Sequence, residues 1–378
     1  MKDTLVNLAR RYLPKSLRYR VQRYISLSDL KRSYFADARD HTDVTESADN
    51  DYGSPVTVGI VRNRVGLHGR YVQACLELSI PFRVLDLGAP DWLDTVHASG
   101  CGVFLGWPDS SLGPVAKMNK DRMLLIEQDL GLPLFPGSHE IWMYEDKVRM
   151  RDWLAAHNVA HPETWIFYDR GAALAFAETC ELPIVFKTRF GAKAAGVHIL
   201  RDRAAVRNAA KTAFGRGHFL DGYDRRDREW GSALFQRFLP EAQEWRLVRI
   251  GNAYFGHPKG KLGDFHSGSG LVEWTVPEAR HLDLLHRITE EGRFRSMCAD
   301  VFETPDGRLL VNELQTVFGA STSVDQLRVN GVAGRMNRGL DGGWRFEPGD
   351  WARNACANAR VIWAVEHAGD LYPDLVTA

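Results

Sequence analysis

Short apolar runs alternate with helical stretches from about residue 55 onward. VTVGIV has the pattern of a buried strand, YVQACLEL that of a helix, and PFRVLDL and GVFLGW those of two further strands. Apolar strands separated by helices are typical of a parallel α/β layer. We therefore predict an α/β domain over residues 51–144.

The pattern changes near Glu145. Helical stretches at EDKVRMRDWLAAHNVAH, AALAFAETC and Arg203 to Phe214 surround the apolar run LPIVFK, which ends on Lys187. Closely spaced strands follow at ALFQRFL, EWRLVRIG and NAYFGHP, then a helix, a hairpin and a closing helix. Strands and helices segregated in this way predict an α+β arrangement. The closing helix is assigned to residues 346–378.

The hairpin CADVFETPDGRLLVNELQ carries the most informative pattern. The Asp-Gly pair at 306–307, between two alternating runs, predicts a two-residue turn. That turn places Asp300 directly opposite Glu313, with Gln315 on the same face. Because opposed like charges destabilise a sheet, we interpret the two carboxylates and the amide as ligands of Mg²⁺, with Mn²⁺ as an alternative.

A solvated acidic strand face is the competing interpretation of the hairpin. Leu309, Val311 and Val317 are expected on the same face as Glu313 and indicate partial burial, which favours the metal site. The prediction depends on register, because a slip of one residue in the turn would remove the opposition.

Composition restricts the class of protein and its partners. The 378 residues are 44% hydrophobic and 25% charged, as in ordinary globular proteins. Equal numbers of basic and acidic residues, 48 each, provide no field to attract nucleic acid. Five scattered cysteines without a C-x-x-C pair favour a reducing cytoplasm. The usual motifs of dinucleotide-binding, P-loop, hydrolase and zinc-protease sites are absent from the sequence.

Residues 1–50 form a distinct basic segment. Ten basic and four acidic residues precede residue 41, interleaved with apolar positions at helical spacing and followed by a polar linker. We expect helices packed on the body of the protein. Docking of this segment on a membrane surface or a partner protein is the alternative.

A lysine that ends a strand before a small-residue loop, followed by strands and then by D-x₁₂-E-x-Q on a hairpin, resembles the ATP-grasp superfamily. The likeness is to its carboxylate–amine ligases of the RimK and D-Ala-D-Ala ligase types. It covers about residues 145 to 319, and the preceding α/β segment resembles the pre-ATP-grasp domain of that family. The resemblance implies a catalytic fold of two subdomains, a small one (145–238) and a large one (239–345). It also implies ATP and Mg²⁺ as cofactors.

The resemblance also implies roles for individual residues. Lys147 and Lys187 would bind phosphates, under a loop that carries Lys193. The backbone of Gln236, Arg237 and Phe238 would bind adenine, Glu244 would bind ribose, and Asp300, Glu313 and Gln315 would hold the metal.

The sequence departs from the family pattern at two points and leaves two alternatives open. Alanines replace Gly or Ser in the loop, and Gln315 stands where Asn is typical. From the residues themselves, Lys147 could be a helix-surface lysine. Glu244 could pair only with Arg246 or Arg249.

The implied reaction activates a carboxylate as an acyl phosphate and joins it to an amine, releasing ADP and phosphate. Lys187 and Arg246 are the catalytic candidates, the latter holding acyl phosphate or carboxylate, with a salt bridge to Glu244 as the alternative. A kinase or phosphotransferase, or a non-catalytic ATP-binding regulatory protein, are the competing functions. We expect a small-molecule, peptide or sugar-acid substrate and allow for a homodimer. Substrate contacts are predicted for Lys259, Ser267, Ser269 and Ser321.

Overall fold

A computed structural model describes residues 46–49, 54, 56–191, 196–219, 226–261, 276–318 and 327–369. The first domain is built on a five-stranded sheet in the order β1-β3-β2-β4-β5, in which β2 to β5 run parallel and β1 is antiparallel to β3. The predicted α/β layer is therefore present. Its elements are β1 (Ser47–Ala48), β2 (Val58–Val61), α1 (Gly69–Glu77), β3 (Phe82–Leu85), α2 (Trp92–Ala98), β4 (Val103–Leu105), α3 (Gly113–Gln128), β5 (Leu134–Phe135) and α4 (Ser138–Met143).

The small subdomain is a four-stranded antiparallel sheet in the order β6-β11-β7-β8. Apolar side chains of α6 and α7, among them Ala177 and Val206, pack with Phe186 and Phe235 of the sheet to form its core. Its elements are α5 (Lys147–Ala156), β6 (Thr164–Phe167), α6 (Arg170–Thr179), β7 (Ile184–Lys187), β8 (Val197–Leu200), α7 (Arg203–Ala213), β9 (His218–Phe219), β10 (Arg228–Glu229) and β11 (Ala233–Arg237).

The large subdomain contains a seven-stranded sheet, ordered β15-β14-β12-β13-β17-β16 with β18 paired to β17. Leu247 and Val301 of this sheet share a buried core with Leu285 of α8 and Leu154 of α5. One face of the sheet is thus apolar and covered by helices. Its elements are β12 (Gln243–Ile250), β13 (Ala253–Lys259), α8 (Ala279–Glu291), β14 (Ser296–Glu303), β15 (Leu309–Gln315), β16 (Arg328–Val329), β17 (Val332–Arg338), β18 (Trp344–Pro348) and, after the sheet, α9 (Arg353–Glu366).

The closing helix α9 returns to the first domain. Ala357 and Val361 of α9 belong to the same buried core as Val58 of β2 and Tyr71 of α1. Within the described residues, no helix is both long enough and apolar enough to span a membrane. The basic segment predicted at residues 1–50 lies almost entirely outside the described residues.

The hairpin between β14 and β15 differs from the prediction in its turn. Thr304 donates its backbone N–H to the carbonyl of Arg308 over 3.0 Å, so the loop contains three residues, 305–307, and not two. This slip moves Val301 opposite Val311. Nevertheless Asp300 faces Glu313 as predicted, because the register shifts by one residue between positions 300 and 301.

A β-bulge at Asn312 produces that shift, and it changes which side chains of β15 share a face. Asn312 lies between the residues that oppose Asp300 and Val301 and has no residue opposite it on β14. Val311 and Leu314, three positions apart, both enter the apolar core. Burial of Val311 therefore says nothing about the Glu313 face, and that part of the sequence argument was wrong.

Candidate functional site

The face of the large sheet that does not pack on α8 carries a row of charged side chains. Glu244 is opposite Lys259 on β13, and Arg246 is opposite Asp300 on β14. Lys259 Nζ lies 2.6 Å from Glu244 Oε1 and 2.5 Å from Asp300 Oδ2, and Arg246 Nε lies 3.1 Å from Asp300 Oδ1. Alternation along β12 puts Glu244 and Arg246 on this face and Trp245 and Leu247 in the core.

These ion pairs fix the charge state of the buried groups. Burial disfavours ionised Asp300, but Arg246 and Lys259 outweigh it and hold the pKa of Asp300 far below its usual value. Burial likewise disfavours the Lys259 ammonium, and the carboxylates of Asp300 and Glu244 outweigh it and raise its pKa. Asp300 and Lys259 are therefore both charged at neutral pH.

The predicted metal ligands meet on the same face. Glu313 opposes Asp300, and Gln315 donates its Nε2 to Glu313 Oε1 over 2.8 Å. Gln315 Oε1 accepts a 3.3 Å hydrogen bond from the backbone N–H of Glu145. Among the described residues, no group of three His, Cys, Asp or Glu side chains is arranged to hold a metal ion. A site here would therefore use two carboxylates and one amide, and it stays a prediction.

Lys187 ends β7 and points across a cleft between the small and large subdomains. Its Nζ donates to Asn312 Oδ1 over 2.9 Å. Burial lowers the pKa of Lys187 to about 8 from the usual 10.5, although nearby Glu313 opposes this. The cleft is lined by charged and polar groups together with a few apolar side chains, namely Lys147, Arg151, Leu154, His161, Thr164, Lys187, Leu234, Gln236, Val311, Asn312 and Glu313.

Lys147 enters this cleft from the start of α5. Its Nζ donates to the carbonyl of Gly191 over 2.6 Å, and its backbone N–H donates to the carbonyl of Arg189. Lys147 is therefore half-buried against the start of the loop that follows β7. Lys147, Lys187, Gln236 and Glu313 line one cleft, so the structure brings together four of the predicted site residues.

The first residues of the loop after β7 are held by two carboxylates. The Asp146 side chain is only 1% exposed. Its carboxylate oxygens accept hydrogen bonds from two nitrogens of the Arg189 guanidinium, with N···O distances of 2.7 to 2.9 Å. Glu229 accepts the backbone N–H groups of Arg189 and Phe190, each over 2.6 Å. Burial raises the pKa of Glu229, while these two donors oppose the shift. Arg189 and Phe190, at the start of this loop, are therefore held in place beside Lys147.

Replacing Asp146 with asparagine should lower the free energy of unfolding by about 1–2 kcal/mol. The change leaves the Arg189 guanidinium without its carboxylate, and the partial exposure of Arg189, 29% at the side chain, keeps the loss below that of a fully buried pair. Asp146 also caps α5 by accepting from the backbone N–H of Arg149. Denaturant unfolding measures the effect.

Asp169→Asn is the matched control for that experiment. Asp169 caps α6 in the same way, by accepting the backbone N–H of Ala172 over 2.7 Å, but it lies at an exposed position. Asparagine is as good a cap as aspartate, so this variant should keep wild-type stability. Equal losses in both variants would contradict a stabilising role for the Asp146–Arg189 pair.

The residues predicted to bind the adenosine moiety have different surroundings. Gln236 is buried in the cleft and donates to Thr164 Oγ1 over 3.2 Å. The side chain of Arg237 points to Glu163 and Glu181. Phe238 directly follows β11. Their contacts with adenine stay a prediction.

In the charged row, Arg246 pairs with Asp300 and Glu244 pairs with Lys259. The alternative of a pair between Glu244 and Arg249 is wrong. Successive side chains of β12 point to opposite faces, so Arg249, three residues after Arg246, faces the helices. There it donates to Thr289 Oγ1 on α8.

Lys259 differs from its expected setting. It ends strand β13 and is buried in the charged row, whereas the sequence placed it in a glycine-rich loop as a substrate contact. Its pairing with Asp300 assigns it to the charged row beside the predicted metal ligands. The other predicted substrate contacts, Ser267, Ser269 and Ser321, lie outside the described residues. So does Lys193, which was predicted in the phosphate-binding loop.

Asn312 is a cleft residue that the sequence reasoning missed. In the predicted two-residue turn it opposes Val301, on the strand face away from Glu313. The signal was present nonetheless, because the consecutive polar residues Asn312 and Glu313 interrupt the alternation of β15.

No family model and no curated protein matches the chain. Several solved structures do. The biotin carboxylase domain of the Hydrogenobacter thermophilus 2-oxoglutarate carboxylase is 14% identical with a TM-score of 0.51, over 70% of this chain and 65% of that domain, which is less than two thirds of its length. The N5-carboxyaminoimidazole synthetase of Staphylococcus aureus is 14% identical with a TM-score of 0.51, over 76% of this chain and 83% of that one.

An ADP complex of PurK, an N5-carboxyaminoimidazole ribonucleotide synthetase, is 15% identical with a TM-score of 0.51, over 76% of this chain and 73% of that one. At such low identity these likenesses concern the three-dimensional arrangement of the chain. They agree with the mixed α/β architecture of several sheets described above. The chain has the ATP-grasp fold.

Proposed function

We propose that this protein is an ATP-dependent ligase that activates a carboxylate as an acyl phosphate and joins it to an amine, releasing ADP and phosphate. The observation that carries the proposal is the cleft in which the ammonium groups of Lys147 and Lys187 lie with the carboxylate of Glu313. Cations beside a carboxylate suit a nucleotide polyphosphate and its metal ion. The Hydrogenobacter domain was crystallised with MgADP and PurK with ADP, which supports a nucleotide in this cleft.

The chain's own residues would act mainly by positioning and by charge. Phosphoryl transfer requires the attacking and leaving oxygens to be held in line and the charge on the transferred group to be neutralised. Lys147 and Lys187 would bind the phosphates, and Lys187 would stay with the transferred group. Arg246, whose guanidinium lies at the charged row, would orient the carboxylate or the acyl phosphate.

A magnesium ion would be held by Glu313, Gln315 and Asp300. The donor set fits a hard cation, because oxygen atoms of carboxylates and an amide are its preferred protein ligands. Asp300 already carries two cationic partners, so Glu313 would supply most of the negative charge to the metal. When bound, the ion would neutralise the phosphate oxygens of the nucleotide.

The ligase proposal predicts phosphate release that depends on ATP, magnesium and a matched pair of substrates. Purified protein is incubated with MgATP and a panel of amino acids, peptides and sugar acids, and free phosphate and product mass are measured. Release should rise at least tenfold above background only with a true pair, and the product should contain both partners. EDTA, which chelates the magnesium, should abolish this phosphate release.

The same measurement separates the competing functions. A phosphorylated product without a joined amine would identify a kinase or phosphotransferase and overturn the ligase. Binding of MgADP without turnover under any pair would favour a regulatory protein.

We also propose that the protein works in a reducing compartment, the cytoplasm. All five cysteines are buried and free, which supports this proposal.

A further inference from the structure

The bulge in β15 sets the positions of two cleft residues at once. The three-residue turn alone would move Glu313 out of register with Asp300, and the extra residue Asn312 restores their opposition. β-Bulges direct a side chain away from the regular alternation. Here the redirected side chain is that of Asn312, which lines the cleft beside Glu313.

The bond from Lys187 to Asn312 joins the two sheets across the cleft. Lys187 belongs to the four-stranded sheet and Asn312 to the seven-stranded sheet, 125 residues later in the chain. An ammonium group that is withdrawn from water needs acceptors for its three donors, and it takes its direction from them. The amide oxygen of Asn312, 2.9 Å from Nζ, is one such acceptor.

The chemistry of an amide suits this position. A carboxylate would neutralise the ammonium and repel a phosphate, whereas an amide oxygen directs the ammonium and leaves its positive charge available. Glu313, the next residue, carries the charge that a metal would require. The bulge therefore places a neutral acceptor for the lysine directly beside the predicted metal carboxylate.

We propose that Asn312 is a positioning residue that orients the Lys187 ammonium toward the nucleotide phosphates. This assignment rests on the proposed nucleotide site. Asn312 acts through Lys187, so its effect on nucleotide binding should vanish when the lysine is absent.

A double-mutant cycle tests this dependence. MgADP affinity is measured by calorimetry for the wild-type chain, Asn312→Ala, Lys187→Met and the double variant. We expect Asn312→Ala to weaken binding about tenfold in the wild-type background, as for the loss of a hydrogen bond to a charged group. In the Lys187→Met background the same change should alter affinity by less than about twofold.

Two further variants separate the loss of the hydrogen bond from a change in folding. Asn312→Leu keeps the branched shape and the number of side-chain heavy atoms of asparagine and removes the acceptor, so it should behave as Asn312→Ala does. Asn337→Ala removes an amide in the same sheet, where it contacts Glu347, and should leave affinity unchanged. Unfolding midpoints are recorded for all variants.

The outcomes are distinct. A tenfold loss that persists in the Lys187→Met background would overturn the assignment of Asn312 and leave the nucleotide site standing. Wild-type affinity in both Asn312 variants would overturn it as well. Absence of MgADP binding by the wild-type chain would overturn the proposed function, and this assignment with it.

Discussion

Glu313→Gln is expected to lower the rate of ATP turnover by at least about 10²-fold, the scale of losing one preorganised electrostatic contact to the reacting phosphates. Glutamine has the same shape and removes the negative charge. Asp300 is neutralised by Arg246 and Lys259, whereas the Glu313 carboxylate accepts from the neutral amide of Gln315. Glu313 is therefore the carboxylate whose charge matters most for a metal ion.

Steady-state phosphate release at saturating MgATP measures this effect, once a substrate pair is known. Asp306→Asn is the matched control, since Asp306 is an exposed carboxylate in the turn of the same hairpin. Its activity should equal that of the wild type. If Glu313→Gln retains full turnover, the predicted metal site is wrong, and a titration of Mg²⁺ against activity would show whether the affinity for the metal has changed at all.

Lys187→Met should lower kcat/KM for ATP by about 10² or more and remove a pH dependence that the wild type shows. The pKa of Lys187 is lowered to about 8 by burial. The ammonium is therefore charged below pH 8 and neutral above it. Since a phosphate ligand needs the charged form, wild-type kcat/KM should be constant below pH 8 and fall about tenfold per pH unit above it.

The profile is recorded between pH 6 and 9.5, roughly 1.5 to 2 units on each side of the expected change. Lys211→Met is the control, because Lys211 lies exposed on α7 of the same subdomain. It should leave both the rate and the profile unchanged. A decline above pH 8 that survives in Lys187→Met would assign the titration to another group, and Lys120 in the first domain, whose pKa burial also lowers to about 8, would be the next to replace.

The hairpin shows how far periodicity can carry a prediction. Alternating runs on either side of Asp306 identified both strands, and the opposition of Asp300 and Glu313 is present. The turn, however, contains three residues, and the bulge at Asn312 compensates for it. Two deviations of one residue cancel, so the predicted pair is right. The predicted turn is wrong, and so is the prediction that Val311 and Glu313 share one face.

The charged row shows where sequence reasoning ends. Glu244, Arg246, Lys259 and Asp300 were each marked as candidates, but their partners were not predictable. Which acid meets which base depends on the alignment of β12 between β13 and β14, across up to 54 residues of chain. Local spacing carries no information on such an alignment, because sheet neighbours are chosen by packing of the whole subdomain.

The sequence by itself determined the alternation of strands and helices from β2 to β4, the lysine at the end of β7 and the acidic hairpin, since apolar periodicity and turn residues act over a few positions. It did not predict strands β16 to β18. Tertiary structure alone decided that Lys187 meets Asn312, that Lys147 meets Gly191 and that α9 packs on α1 of the first domain. Those contacts join residues far apart in the chain. They follow from how the apolar surfaces of several elements are buried together, a property of the assembled chain and of no single segment.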